Sequence, residues 1–213
     1  MPSHRSPHDT VLSTGISDLD EHLAGGIPSG SVVVLKTESD SQSELLFYSL
    51  VAERETLYIS TIRNERVVRA TFETVGIDFD ALVTYTPPGT AIEEISEIAC
   101  NAEGQTNIVV DSVGMLESAD REEYQEFLND VQNHVREIGG VVLLHCHKER
   151  SPDNREITTT AADIILDVES HVEGTAVEHF IHVPKYRGGR AFSKRIKVEF
   201  SDSVTIDTGR DIA

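Results

Sequence analysis

The sequence predicts an α/β fold in which a mostly parallel sheet is covered by helices and followed by antiparallel C-terminal strands. The first observation is that apolar, β-branched segments alternate with amphipathic helical segments through the first two thirds of the chain. The second is that strand-like segments follow one another, without intervening helices, after about Arg155. A length of 213 residues, 38% of them hydrophobic, suits one domain with a sizeable core.

The predicted parallel strands are apolar on both faces and are separated by enough chain for helical crossovers. They span residues 31–37, 56–61, 81–85, 107–111 and 140–146. Helical patterns lie between them, at about residues 42–53, 65–75, 92–102 and 121–138. The last of these has a single apolar stripe at helical spacing, and Gly139-Gly140 supplies its stop.

The C-terminal third alternates apolar and polar residues in strand-like runs that are separated by turn residues such as Gly174 and Gly188-Gly189. These runs span residues 162–170, 176–186, 194–200 and 203–207. The sequence shows no internal repeat and no low-complexity linker. We therefore predict one domain over residues 13–207, with a flexible leader at 1–12 and a tail at 208–213.

The charge of the chain is strongly acidic, with 37 Asp and Glu against 18 Lys and Arg and a formal net charge of -19. Such a Lys-poor, acidic composition resembles the proteins of halophilic archaea, in which molar salt screens self-repulsion. The net charge opposes binding to DNA and anionic membranes at low salt. The sequence has no membrane-length apolar run and no secretion signal, and its two cysteines are far apart. These features predict a cytoplasmic protein that does not bind membranes.

The segment at residues 13–35 combines a short helical pattern, a Gly-Gly pair and a Pro-x-Gly turn before the first core strand. Ser17 or Asp18 is expected to cap the helix, and Gly25-Gly26 to end it. The motif STGI-x-x-LD-x-x-L-x-GGIP-x-G-S resembles the opening of KaiC, RadA and GvpD-type domains of the RecA superfamily. This resemblance implies a RecA-like P-loop NTPase fold, a three-layer sandwich.

In that family, a P-loop with the pattern G-x-x-x-x-G-K-[ST] follows the first core strand and surrounds the nucleotide phosphates. This chain has TESDSQSELL at that place. Thr37 and Gln42 stand at the glycine positions, Ser43 at the lysine position and Glu44 at the hydroxyl position. Acidic side chains in the loop would repel a triphosphate or replace it internally. The loop is therefore predicted to be disabled.

Two further family positions bear on catalysis. Ile62 and Arg63 stand where relatives have an acidic pair, so the general base is absent unless Glu65 substitutes for it. Asp111, followed by Ser112, matches the family's Walker B strand end, where the Asp would bind Mg²⁺ if nucleotide binds. The alternative is that Asp111 simply caps the turn after its strand.

Histidines end the strand at 140–146, where RecA-like folds place a polar residue facing the γ-phosphate. His145 and His147 share one face of the strand, a spacing that also occurs in metal sites. Because zinc usually has four ligands and no second cluster is evident, a polar cluster at the vestigial site is the preferred interpretation, and a metal site is the minority one.

The segment Lys185-Tyr186-Arg187-Gly188 matches the family's K-x-R-G motif. In KaiC-like rings, the Lys and Arg reach toward the nucleotide of the neighbouring subunit, so the resemblance implies an interface or a finger acting in trans. The plainer alternative is a basic hairpin that contacts an acidic surface.

These observations predict a pseudo-ATPase that regulates or scaffolds, as a homo-oligomer or together with KaiC- or RadA-like ATPases, without a bound cofactor. The first alternative is an atypical ATPase that binds ATP and Mg²⁺ through Asp111, with Lys36 as a surrogate cation. The second is a DNA recombination or repair accessory protein, which the acidity of the chain does not favour.

Overall fold

The computed structural model of the chain describes residues 10–41, 44–74, 81–149, 151–173, 176–187, 189, 195–200 and 204–206. The side chains of residues 44, 173, 176 and 204–206 are not described. Among the predicted site residues, Gln42, Ser43 and Gly188 lie outside the described residues, as do most of the leader and the 208–213 tail.

The described strands are β1 (Val11–Leu12), β2 (Ile27–Pro28), β3 (Ser31–Thr37), β4 (Thr56–Ser60), β5 (Ala81–Tyr85), β6 (Asn107–Asp111), β7 (Val141–His147), β8 (Ile164–Glu173), β9 (Ala176–Tyr186), β10 (Ile196–Phe200) and β11 (Val204–Ile206). The described helices are α1 (Ser17–His22), α2 (Glu44–Ala52), α3 (Glu65–Thr74), α4 (Ile92–Ala99), α5 (Arg121–Ile138) and α6 (Arg155–Ala161). A 3₁₀ helix spans Val113–Ser118.

Nine of these strands form the central sheet, in the order β11-β10-β9-β8-β3-β7-β6-β4-β5. The six strands from β8 to β5 run parallel, and β9, β10 and β11 extend the sheet in antiparallel fashion. β1 and β2 pair separately as a small antiparallel sheet. Because the carboxyl ends of parallel strands meet at one edge, this topology gathers the residues that end β3, β4, β6 and β7.

Two buried clusters cover the two faces of the sheet, so the fold has three layers. Residues of α1, α2 and α3 pack on one face, against the face of β3 that contains Val33 and Leu35. Residues of α4, α5, α6 and the 3₁₀ helix pack on the other, against Val32 and Val34. The alternation of β3 side chains between two apolar layers explains why this strand is apolar throughout.

The prediction that no helix follows Arg155 is wrong, because α6 forms at that point. Its sequence, REITTTA, has three consecutive threonines, whose low helix propensity hides the helix from pattern analysis. Tertiary contacts stabilise α6 instead: Thr158 is buried, and Arg155 pairs with Glu117 of the 3₁₀ helix.

The segment at residues 13–35 forms the predicted short helix before the first core strand, but the predicted cap of that helix is wrong. Neither Ser17 nor Asp18 caps α1, whose N-cap residue is Ile16 with no side-chain cap. The carboxylate of Asp20 instead accepts hydrogen bonds from Ser13 and Thr14, which fastens the helix to the preceding chain. Val11 and Leu12, assigned to the leader by the sequence, form β1, so the ordered fold extends further toward the N-terminus than residue 13.

The structure shows why the second residue of the Gly25-Gly26 pair is a glycine. Its φ of +131° is a conformation that residues with a side chain rarely adopt. A Cβ atom there would lie 2.4 Å from the carbonyl oxygen of Leu12. The pairing of β1 with β2 therefore requires glycine at this position.

Candidate functional site

A chain of hydrogen bonds crosses four adjacent strands at the carboxyl edge of the sheet. His145 Nε2 lies 2.8 Å from Thr37 Oγ1, and His145 Nδ1 lies 2.7 Å from Asp111 Oδ1. The hydroxyl of Tyr58 donates to Asp111 Oδ2 over 2.5 Å. These side chains come from β3, β7, β6 and β4, and each of them is at least 95% buried. The structure thus brings together Thr37, Asp111 and His145, three of the residues that the sequence assigns to the vestigial site.

Arg63, from the loop after β4, completes the contacts of Asp111. Its guanidinium lies 2.9 Å from Asp111 Oδ2, in an ion pair whose side chains are 24% and 7% exposed. Both carboxylate oxygens of Asp111 therefore contact donors from the protein itself. A Mg²⁺ ion at this strand end would compete with these donors for the carboxylate oxygens.

The charge state of Asp111 is set by two opposing effects. Burial alone raises the pKa of its carboxyl group. The hydrogen bonds from His145 and Tyr58, together with the positive charge of Arg63, outweigh burial and hold the pKa well below its usual range. Asp111 is accordingly an ionised carboxylate inside the protein, and its neighbours compensate its charge.

Arg63 stands where the resemblance places an acidic residue, so its charge is reversed relative to that family. Glu65, the possible substitute base, lies on α3 and pairs there with Arg69 at 2.8 Å. This pair is exposed and separate from the hydrogen bonds of Asp111. Glu65 thus takes no part in the contacts of the site.

The loop after β3 contacts a carboxylate that the sequence did not point to. Glu149 Oε1 accepts hydrogen bonds from the backbone N–H of Ser39 over 2.6 Å and from its hydroxyl over 2.7 Å. These two bonds lower the pKa of Glu149 to about 2. A side chain of the protein therefore binds a backbone N–H in the segment that corresponds to the phosphate loop.

Lys36 lies on the opposite face of the sheet from Thr37 and His145. It is in register with Cys146 of β7 and Asp167 of β8, whose side chains point away from the Asp111 side. The sequence left open which face of the sheet Lys36 occupies. Because it faces away from Asp111, Lys36 does not act as a surrogate cation beside that carboxylate.

Ser112 is held by Thr61, the residue after β4. The hydroxyl of Thr61 donates to the carbonyl oxygen of Ser112 over 2.8 Å and accepts from its backbone N–H over 3.1 Å. Both residues are buried. These contacts fix the turn after β6 and with it the direction of the Asp111 side chain.

His147 is the outermost residue of the same face of β7. Its ring is edge-on to that of His145, with 4.5 Å between the ring centroids. Burial, and then the neighbouring His145, lower its pKa below the usual value. Its Nδ1 atom is buried and has no hydrogen-bond partner among the described residues.

Lys185 and Arg187 lie away from this edge and contact the C-terminal end of α6. Lys185 Nζ donates to the carbonyl oxygens of Thr159 and Thr160 over 2.8 and 2.9 Å. Arg187 donates to that of Thr160 and pairs with Asp163 at 3.3 Å. Burial, and then the neighbouring Arg187, lower the pKa of Lys185. Both cations therefore cap a helix of their own chain, where the helix dipole favours positive charge.

A second polar cluster lies on the other face of the sheet, and sequence analysis missed it. Glu117 is fully buried, and both its oxygens accept from Arg155 Nε, over 2.7 and 2.9 Å. The hydroxyl of Thr158 donates to Glu117 over 2.5 Å and lies 2.6 Å from that of Tyr124. The cluster joins α5, α6 and the 3₁₀ helix, and its contacts indicate a structural role.

Burial, and then the nearby Glu117, raise the pKa of the Cys146 thiol to about 12. Cys100 and Cys146 are both free thiols.

The contacts of Tyr58 and Arg63 with Asp111 were the main features of the site that sequence reasoning missed. Signals for both were present. Tyr58 lies two residues before Ser60, which ends β4 in register with Asp111, so Tyr58 and Asp111 face the same side of the sheet. Arg63 places a positive charge where the family resemblance leads us to expect a carboxylate, while Asp111 is present as expected. Glu149 gave no such signal, because its contact depends on how the chain turns after β7.

The fold is similar to a solved structure, that of the KaiC-like protein PH0186 from the hyperthermophilic archaeon Pyrococcus horikoshii OT3, with a TM-score of 0.75. The comparison covers 92% of this chain and 98% of that chain, at 16% sequence identity. The likeness defines a protein with the RecA-type fold of KaiC-like proteins, and it confirms the predicted fold class.

Residues 11–213 match the sequence model of a family of unknown function, DUF7125, and the chain belongs to that family. No curated protein matches the chain. Within the described part of the chain, the helices are too short or too polar to span a bilayer.

Proposed function

We propose that this chain is a catalytically inactive protein of KaiC-like fold. It acts as a regulatory or scaffolding subunit and assembles with itself or with an active ATPase of the same fold. The observation that supports this most strongly is the ion pair between Arg63 and Asp111. A cationic side chain neutralises the strand-end carboxylate that would otherwise face Mg²⁺.

Three features of the same edge support the proposal independently of that pair. The sequence has no lysine between Lys36 and Lys148, so the phosphate loop lacks its cation. Lys36 itself lies on the other face of the sheet. Glu149 binds the backbone N–H of Ser39, and a carboxylate there opposes an incoming phosphate.

Retention of the fold without these catalytic groups favours a function in assembly. The central sheet, both helical layers and the opening motif are intact, and the internal contacts of Asp111 stabilise the edge that a nucleotide would otherwise occupy. Homo-oligomers, or hetero-oligomers with KaiC- or RadA-like ATPases, are the partners that the resemblance implies. We also propose a cytoplasmic location and no stably bound nucleotide cofactor.

Phosphate release and molar mass test the proposal together. In molar KCl with Mg-ATP, we expect the chain to release phosphate no faster than its Asp111→Asn variant. Light scattering should give a mass above that of a single chain, and the mass should not depend on ATP. Phosphate release that Asp111→Asn abolishes would overturn the assignment of inactivity. A monomer that binds no KaiC-like ATPase would overturn the scaffolding role.

A further inference from the structure

The histidines at the end of β7 and the carboxylate at the end of β6 are close enough to share an ion. We propose that Asp111, His145 and His147 form a binding site for a divalent transition metal ion such as Zn²⁺. One ligand atom from each residue lies within 4.8 Å of the others. This inference does not rest on the proposed function, since a metal ion at this edge requires no nucleotide.

The unsatisfied nitrogen of His147 is the first reason. Its Nδ1 atom is shielded from solvent and has no hydrogen-bond partner in the described part of the chain. Burying a polar atom without a partner raises the free energy of the folded state. In folded proteins, such an atom is usually bound to a water molecule, a ligand or an ion. The neighbouring His145 and Asp111 supply the other donors that a metal ion would need.

The surrounding contacts orient the other two ligands. Arg63 and Tyr58 both contact Oδ2 of Asp111, so Oδ1 is the oxygen that faces the histidines. Nδ1 of His145 donates its hydrogen to Oδ1 of the ionised Asp111, 2.7 Å away. A metal ion between the two would replace this hydrogen, and Nε2 of His145 would then carry the ring hydrogen and donate it to Thr37 Oγ1, which lies 2.8 Å from it. Outer contacts of this kind hold the ligands of known metal sites in place.

The chemistry of the donors selects the class of metal. Two imidazole nitrogens and one carboxylate oxygen suit Zn²⁺ and similar ions, with water as a fourth ligand. Mg²⁺ prefers oxygen ligands and keeps several waters, which these residues do not accommodate. Asp111, at the Walker B position, would thus bind Zn²⁺ or a similar ion rather than the Mg²⁺ that the family resemblance implies.

The ligand side chains must move slightly to coordinate an ion. Ligand atoms around a tetrahedral Zn²⁺ are about 3.3 Å apart. His145 and Asp111 already approach more closely than this, so binding would separate them slightly. His147 must move inward, and its side chain is only half-buried at the end of the strand.

Titration of the untagged, chelator-treated full chain with Zn²⁺, and with Co²⁺ as a spectroscopic probe, tests the site in molar KCl. We expect one ion per chain and the visible absorption of tetrahedral Co²⁺. His147→Ala should weaken binding by at least about 100-fold, as expected for loss of a direct ligand. His147 makes no hydrogen bond through Nδ1, so this variant should fold even where His145→Ala does not.

The exposed His171 of β8 provides the matched control, because His171→Ala removes a histidine from the same sheet without touching the site. Its affinity for Zn²⁺ should equal that of the unaltered chain. Equal binding by the His147→Ala and His171→Ala variants, or no binding by the unaltered chain, would overturn the proposal. Displacement of the ion by excess Mg²⁺ would also overturn it, since it would indicate an oxygen-ligand site.

Discussion

Arg63 is the residue that most changes the chemistry expected at this sheet edge. A carboxylate at its position would leave Asp111 with an uncompensated like charge nearby, whereas the guanidinium lies 2.9 Å from Oδ2. Because Asp111 is buried, this contact is worth more than a surface ion pair. Arg63 therefore stabilises the fold at a position where the family resemblance implies a catalytic acid.

Replacing Arg63 by Ala should lower the free energy of unfolding by about 2 kcal/mol. The buried carboxylate then loses its cationic partner and keeps only His145 and Tyr58. Urea unfolding at a fixed, molar KCl concentration measures the change. Arg121→Ala is the control, because its pair with Glu156 is exposed on both sides and should contribute almost nothing. Equal effects of the two variants would contradict the stabilising role assigned to Arg63.

At the scale of elements, the parallel strands and the helices between them were predictable because each has a strong apolar pattern. The order of β3, β7, β6 and β4 follows from the fold that the opening motif indicates. The α6 helix was not predictable, because its threonines favour strands and the helix depends on tertiary contacts such as the pair of Arg155 with Glu117. The cap of α1 was predicted wrongly because the helix already includes Ser17 and Asp18, and its N-cap residue, Ile16, has no side-chain acceptor for the N–H groups of the first turn.

Thr158→Val should destabilise the fold by about 2 kcal/mol, because the change leaves the buried Glu117 and Tyr124 without a hydroxyl partner at nearly constant volume. Thr160→Val alters an exposed residue of the same helix and should change stability by less than about 0.5 kcal/mol. Thermal or urea unfolding of both variants checks the difference. If Thr158→Val is as stable as Thr160→Val, the cluster does not stabilise α6.

Gly26→Ala should prevent the pairing of β1 with β2, since the added Cβ would lie 2.4 Å from the carbonyl oxygen of Leu12. We expect a loss of more than about 3 kcal/mol, from the strained backbone together with the clash. Gly89 is a matched control: its φ is also positive, at +92°, and a Cβ there meets nothing within 4 Å. Gly89→Ala should cost only the backbone strain. Equal losses in the two variants would show that the close approach to Leu12 is unimportant.

The charge is a property of the whole molecule, and it sets the conditions in which the fold is stable. A formal net charge of -19 produces self-repulsion in the compact state. Salt reduces the range of that repulsion from about 10 Å at 0.1 M to about 3 Å at 1 M. The two ion pairs that hold a buried carboxylate, Arg63 with Asp111 and Arg155 with Glu117, are largely buried and are screened less by salt.

Raising KCl from 0.1 to 2 M should therefore increase the free energy of unfolding, through weaker repulsion among the surface carboxylates. Urea titrations at several KCl concentrations measure this directly. Constant or falling stability over that range would mean that local ion pairs outweigh the net charge, and it would remove the physical basis for the predicted halophilic character.

We propose that the protein's own side chains close the nucleotide site of this KaiC-like fold. Calorimetric titration with Mg-ATP in molar KCl measures whether a nucleotide still binds there. We expect no saturable heat at micromolar to submillimolar nucleotide, for the unaltered chain and for Asp111→Ala alike. Micromolar binding by the unaltered chain that disappears in Asp111→Ala would contradict the proposal.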